Sequence, residues 1–242
     1  MRAVRPRAAF AAMLVLSLLG ASARAAGITP FSSAAPGSEA PSPWMHQTLP
    51  KVERSNDFAL VEDAGVTILR IESAAAASTW LHAFDAPVEA ARLSWRWKVS
   101  NALPGSDFRQ KGGDDYAARV YVLFDYPLEK LGFGDRFKIS LARTLHGAEL
   151  PTAAIAYVWG TAQAVGESGP NPYTDRVRML VLDSGDAHAG QWRSIERDLA
   201  ADFERLFGEP APPVTGVVLG ADTDNTGGQV TTWFGDLQLR PR

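Results

Sequence analysis

Two stretches of this 242-residue chain gather oxygen ligands at short spacing: Gly112-Gly113-Asp114-Asp115 and Asp222-Thr223-Asp224-Asn225-Thr226-Gly227. Adjacent carboxylates beside glycines can share a cation or pair with arginine, because glycine lets the backbone turn tightly around the site. The first stretch runs into residues 116–125, where Arg119 and Tyr121 share one face of an alternating pattern. Asp114, Asp115, Arg119 and Tyr121 are therefore candidate ligand-binding residues at the mouth of a strand. The plainer reading buries Asp115 against an arginine, with Arg96, Arg119 and Arg178 as the choices, since a buried charge persists when it is paired. Asp115 and Arg119 stand about 13 Å apart along an extended strand, so each needs a different partner. The second stretch opens like a calcium loop, D-x-D-x-x-G, which makes Asp222, Asp224 and Asn225 candidate ligands for Ca2+. An EF-hand needs a bidentate Glu at its twelfth position, and Trp233 stands there. The competing reading is a hairpin loop between residues 215–222 and 230–239, its Asp and Asn side chains bonding nearby amides.

Aromatic residues are the next source of chemistry. Tyr121, Tyr157 and Trp159 lie on strands whose alternation is indecisive. On an open sheet face beside Arg119 their rings could stack on the apolar faces of sugars; between two sheets they would be core. Trp95, Trp97 and Trp233 fall on apolar strand faces and read as core, and Trp192 as a loop-edge aromatic. Catalytic patterns are missing. The chain has no cysteine, which excludes thiol catalysis, disulfides and zinc–thiolate sites. Its four histidines lie far apart, with no H-E-x-x-H spacing. There is no G-x-S-x-G elbow, P-loop or dinucleotide motif. Paired carboxylates for glycan cleavage can still come from distant strands, and Asp115 and Asp224 are the pair to consider.

The elements that must position these groups are mostly strands. Residues 91–99, ARLSWRWKV, alternate cleanly: Leu93, Trp95, Trp97 and Val99 to one side, Arg92, Ser94, Arg96 and Lys98 to the other. Further strands are expected at 58–62, 66–72, 79–84, 116–125, 154–159, 176–183, 192–198, 215–222 and 230–239, with turn residues between most of them. Ten short strands at this spacing predict an all-β fold, an antiparallel, jelly-roll-like β-sandwich. Two short helices are inserted, at about 135–145 and 200–207, the second stopped by Gly208 and Pro210.

Residues 1–25 read as a signal peptide: Arg2, Arg5 and Arg7, an apolar run from Ala8 to Gly20, then a small-x-small site at Ala23-Arg24-Ala25. The run is short for a membrane span, so export to the periplasm or beyond is expected, with no span left after cleavage. Residues 26–44, rich in Ser, Pro, Gly and Ala, are expected to be a flexible lead-in, and 45–242 a single domain. A formal charge of −3 disfavours a broad nucleic-acid-binding surface.

The stretches LSWRWKV (93–99), GGDDYAARVYVLFD (112–125), IAYVWG (155–160) and LGADTDNTGGQVTTWFGDLQL (219–239) together resemble a bacterial exported family, domain of unknown function 3047. The resemblance implies a jelly-roll-like sandwich related in shape to carbohydrate-binding modules and lectin-like domains. It brings no activity and no functional residues. The chain is accordingly expected to be a non-catalytic binding module for a glycan or cell-envelope component. The alternatives are a glycan hydrolase or lyase using distant carboxylates, and an accessory envelope protein that binds another protein.

Overall fold

The computed structural model describes residues 27–49, 52–130 and 152–242. The leader at 1–25 and the helix expected at 135–145 lie outside the described residues. In chain order the strands are β1 (Met45–Thr48), β2 (Asp57–Asp63), β3 (Val66–Ala74), β4 (Ala77–Val88), β5 (Arg92–Val99), β6 (Tyr116–Phe124) and β7 (Ala153–Gly160). They continue with β8 (Ser168–Asn171), β9 (Thr174–Ser184), β10 (Arg193–Asp198), β11 (Val214–Asp222), β12 (Gln229–Phe234) and β13 (Gln238–Arg240). Helix α1 (Leu199–Phe207) follows β10 directly. Two sheets pack face to face. One has the order β1-β4-β11-β6-β7-β9-β8, the other β10-β5-β12-β3-β2 with β13 also on β5. The fold is the expected β-sandwich.

The period-two pattern sorts side chains as the sequence predicts. Leu93, Trp95, Trp97 and Val99 of β5 are buried, and so are Ala118, Val120, Val122 and Phe124 of β6. Between the sheets Trp95 meets Trp97 edge-on at 5.7 Å and Tyr157 at 5.4 Å, and Trp97 meets Trp159 at 6.0 Å. Tyr157 and Trp159 are therefore core residues and not ligand platforms, which corrects that part of the candidate list. Every position of β7 is buried. Its inner side chains join the central core, while Ala156 and Val158 on its outer side pack with Met179, Val181, Phe108 and Tyr116. A strand covered on both faces reads as one apolar run, so alternation could not say which rings point inward.

Four features differ from expectation. The strands are antiparallel except β7 and β9, which run parallel because the chain crosses over through β8 between them. The segment 222–230 is not a hairpin loop: β11 pairs with β4 and β6 in one sheet, β12 with β3 and β5 in the other. Turn-forming residues say that a chain reverses, not which sheet it enters. Trp233 is half-buried on the outer face of its sheet, because Val230, Thr232 and Phe234 take the inner positions. The lead-in is packed, not loose. Phe31 is fully buried and stacks on Trp44 at 4.8 Å, Trp44 Nε1 donates to Thr29 O at 2.8 Å, and Thr29 N donates to His82 Nε2 at 3.0 Å.

Helix α1 shows the expected end signals. Asp198 caps its start by accepting from Ala201 N at 3.1 Å, and Gly208 closes it in the left-handed conformation at φ 77°. No helix among the described residues is long and apolar enough to cross a membrane.

Candidate functional site

The site is organised around Arg119, which β6 places on the outer face of the seven-stranded sheet. Burial of Val120 and Val122 beneath β6 forces Arg119, Tyr121 and Leu123 to the opposite side. The guanidinium is nevertheless almost wholly buried, at 2% exposure. Each of its N–H donors is engaged. Nε donates to Asp222 Oδ1 at 2.6 Å, and Nη2 reaches Asp222 Oδ2 at 2.5 Å. Nη1 donates to Asp114 Oδ1 and to Tyr121 Oη, each at 3.1 Å. Nη2 also donates to the Asp114 carbonyl. The Tyr116 ring lies beneath the guanidinium carbon, 4.6 Å from its centroid. Asp114 Oδ2 accepts from Asn171 Nδ2 at 3.0 Å, which ties the cluster to β8.

The electrostatics follow from one cation among several acids. Burial pushes the Asp222 carboxyl up to about 7, against the pull of Arg119, with Asp114 and Asp115 adding to the rise. Burial likewise pushes the Tyr121 hydroxyl up to about 12, so it stays protonated. Arg119 loses from burial but gains more from Asp222, Tyr121 and Asp114, and it stays charged. The carboxyl of Asp224, in an exposed loop, is raised by partial desolvation and by the neighbouring Asp115.

A cleft of about 280 Å³ opens beside this cluster. Arg119, Tyr121 and Leu123 of β6 form one wall, with Ala154 and Val177 beyond them, and Leu49 and Thr79 stand opposite. Val218, Gly220 and Asp222 of β11 form the floor. Gly220 sits directly between Arg119 and Thr79 in the strand register. A Cβ there would come within 3.2 Å of Thr79 Cγ2, so glycine keeps the floor low. The lining is largely apolar, with the Tyr121 hydroxyl proton and the Thr79 hydroxyl left uncommitted among the described residues.

Of the residues proposed from sequence, Asp114, Arg119, Tyr121 and Asp222 come together here. Asp115 does not join them. It is fully buried and pairs with no arginine among the described residues; it accepts from Asn225 N at 3.3 Å, Asn225 Nδ2 at 3.0 Å, and Thr226 N and Oγ1 at 2.7 Å each. The two acidic loops are thus fastened to each other. The groups expected to hold a calcium ion are used otherwise: the Asp222 oxygens accept from Arg119, and Asn225 donates its side-chain N–H to Asp115. Asp224 is exposed in the same loop. Among the described residues no three His, Asp or Glu side chains are grouped to hold a metal. Asp115 and Asp224 also fail as a cleaving pair, because the oxygens of Asp115 are filled by backbone and side-chain donors.

The family described as "Protein of unknown function (DUF3047)" matches residues 42–238. The chain belongs to this family. No curated protein matches it. Among solved structures, that titled "Structural analysis of an exo-beta-agarase" aligns at 10% identity and a TM-score of 0.33, over 89% of this chain and 25% of the other. The chain thus spans a quarter of that protein's length. "Cellulose induced protein, Cip1" aligns at 12% identity and a TM-score of 0.33, over 82% of this chain and 91% of the other.

Within the matched span of this DUF3047 chain, Thr79, Gly220, Val218 and Asn171 carry no sequence signal. They belong to the site only because β11 lies between β4 and β6, and because β8, beyond β7 and β9, brings Asn171 to Asp114. A signal did exist for Asp222, in its loop pattern, but it pointed to the wrong partner.

Proposed function

We propose that this chain is an exported, non-catalytic binding module that holds a sugar ring of a glycan or envelope component in the cleft beside Tyr121. The observation that carries this reading is the state of the polar groups around the cleft. Arg119, Asp114 and Asp222 are committed to one another, so they shape the wall and leave little capacity for proton transfer or for nucleophile activation. What faces the ligand is apolar surface, an aromatic ring, and the hydroxyls of Tyr121 and Thr79. A pyranose has this complement: a C–H face for the apolar wall and hydroxyls for the polar groups. Export is supported by the basic and apolar leader at residues 1–25. The test is calorimetric titration of the purified protein with a panel of soluble oligosaccharides, alongside Tyr121→Ala. Binding that Tyr121→Ala weakens about tenfold or more supports the reading. A panel without binding, or binding that ignores Tyr121→Ala, overturns it.

One observation favours a second reading. A carboxyl pushed up to about 7 beside a cleft is what a general acid needs, and Asp222 is such a group. Under that reading glycan is cleaved rather than held. Product release from the same panel, with a falling alkaline limb near pH 7 that Asp222→Asn abolishes, would replace the binding module with an enzyme.

A further inference from the structure

The outer face of the six-stranded sheet carries a construction that the cleft does not use. On β5 the polar half of the alternation puts Arg92, Arg96 and Lys98 on this face. Trp233 is directly opposite Lys98 in the register, and Trp192 precedes β10 on the other side. Aromatic rings and cations interleave there. Lys98 Nζ lies 4.7 Å from the Trp233 ring and 4.8 Å from the Trp192 ring, and the Arg96 guanidinium lies 4.5 Å over Trp192. Asp63 fixes the arrangement from β2, accepting from Trp192 Nε1 at 2.6 Å and from Lys98 Nζ at 3.2 Å. Those two bonds hold its carboxyl below the usual range, with Arg96 contributing through space.

The ion pairs on this face leave two arginines over among the described residues: Arg240, which donates to Gln238 Oε1, and Arg96. Arg70 pairs with Glu72, Arg92 with Glu196, and Lys98 with Asp63. Arg96 has no carboxylate partner among the described residues, although it lies in the field of Asp63. Its side chain is held in place all the same. Gly235 lies against it, so closely that a Cβ there would stand 2.6 Å from Arg96 Cγ, and Gly235 N donates to Arg96 O at 2.9 Å. A guanidinium held over an indole and packed against Gly235, with no hydrogen-bond partner for its N–H groups among the described residues, has already lost much of its conformational freedom. It presents the planar fork that matches an oxyanion.

We propose that this face is a second binding surface, for an acidic polysaccharide whose carboxylate or sulfate groups meet Arg96 and whose sugar rings pack on Trp192 and Trp233. The half-buried indoles favour a sugar chain over a bare ion, because stacking supplies contact that a small anion cannot use. This surface is separate from the cleft and is carried by different residues, so either can fail alone.

The test is affinity electrophoresis of the purified protein in gels containing polygalacturonate, dextran sulfate or neutral dextran. Retardation in either acidic gel and not in neutral dextran is expected, and the gel that retards more names the oxyanion. Arg96→Gln should weaken it about tenfold or more, as should Ser194→Asp, which sets a carboxylate in the position paired with Arg96. A thermal melt of each variant confirms folding, and Ser194→Asp decides the matter if Arg96→Gln does not fold. No retardation in either acidic gel, equal retardation in neutral dextran, or full retardation of both folded variants overturns the proposal.

Discussion

Asp222 has to satisfy two neighbours at once, and its titration records the conflict. It accepts from Arg119 and from Tyr116 N, yet it is half-buried and largely desolvated beside Asp114 and near Asp115, so its carboxyl is pushed from 3.8 up to about 7. A carboxyl whose folded value lies above its unfolded one takes up a proton on folding. Its contribution to stability is complete below about pH 4 and is lost as pH rises through about 7. Chemical denaturation of the wild type and Asp222→Asn between pH 4 and 8 should reveal a loss of up to about 4 kcal/mol that only the wild type suffers. Parallel pH profiles would mean that another group holds the proton. His82 has the opposite sign. Burial lowers it from 6.5, and its neutral Nε2 accepts from Thr29 N at 3.0 Å. Its contribution is therefore present above pH 6.5 and is lost as pH falls through its folded value. The Arg119 cluster was half legible in the sequence: arginine and aspartates in strand-mouth positions were visible. Which aspartate met Arg119 depended on β11 lying beside β6.

At the scale of the elements, the strap formed by residues 27–44 shows how a polar, proline-rich segment becomes structure. Its composition predicts a loose chain, but Ile28, Phe31 and Trp44 supply three apolar anchors. Acid should loosen it first, because protonated His82 can no longer accept from Thr29. Limited proteolysis between residues 27 and 44 is expected to quicken from pH 7 to pH 5 in the wild type. It should quicken less in His82→Gln, whose amide oxygen keeps an acceptor at any pH; equal acceleration would place the acid-sensitive group elsewhere. Strand β5 is the opposite case, with both of its faces legible from alternation alone. Trp95 is 3% exposed and packs on Trp97 and Tyr157, so Trp95→Ala should cost about 3–5 kcal/mol in a denaturant titration. A loss below about 1 kcal/mol would contradict its place in the core. The short strands β1 and β8 were not legible: MHQT lacks apolar alternation and SGPN has turn composition, and each is a strand only because a longer neighbour offers a free edge.

For the molecule as a whole, the two sheets give two outer faces of different character. One carries an apolar cleft beside a saturated ion cluster; the other carries indoles interleaved with cations. Both would be presented outside the cytoplasm if the leader at residues 1–25 directs export. Intact-mass measurement of protein recovered from the periplasm of an expressing bacterium should give a chain beginning near Ala26. Retention of Met1 to Ala25 would overturn export by cleavage.

The strands of period two, the inward direction of Trp95 and Trp97, the stop of α1 at Gly208 and membership of the family were all legible in the residues alone. These properties are local: they depend on which side of a strand or which end of a helix a residue occupies, and a few neighbours settle that. It took the folded arrangement of the strands to place Tyr157 and Trp159 in the core, to set β7 and β9 parallel, to carry residues 222–230 between sheets, and to make Asp115 fasten two loops. These depend on pairings across long stretches of chain, such as the sequence separation of 103 between Arg119 and Asp222 and of 110 between Asp115 and Asn225. A carboxylate is satisfied equally well by an arginine, a pair of amides or an ion. Residue type therefore leaves the partner open, and the order in which the strands assemble chooses it.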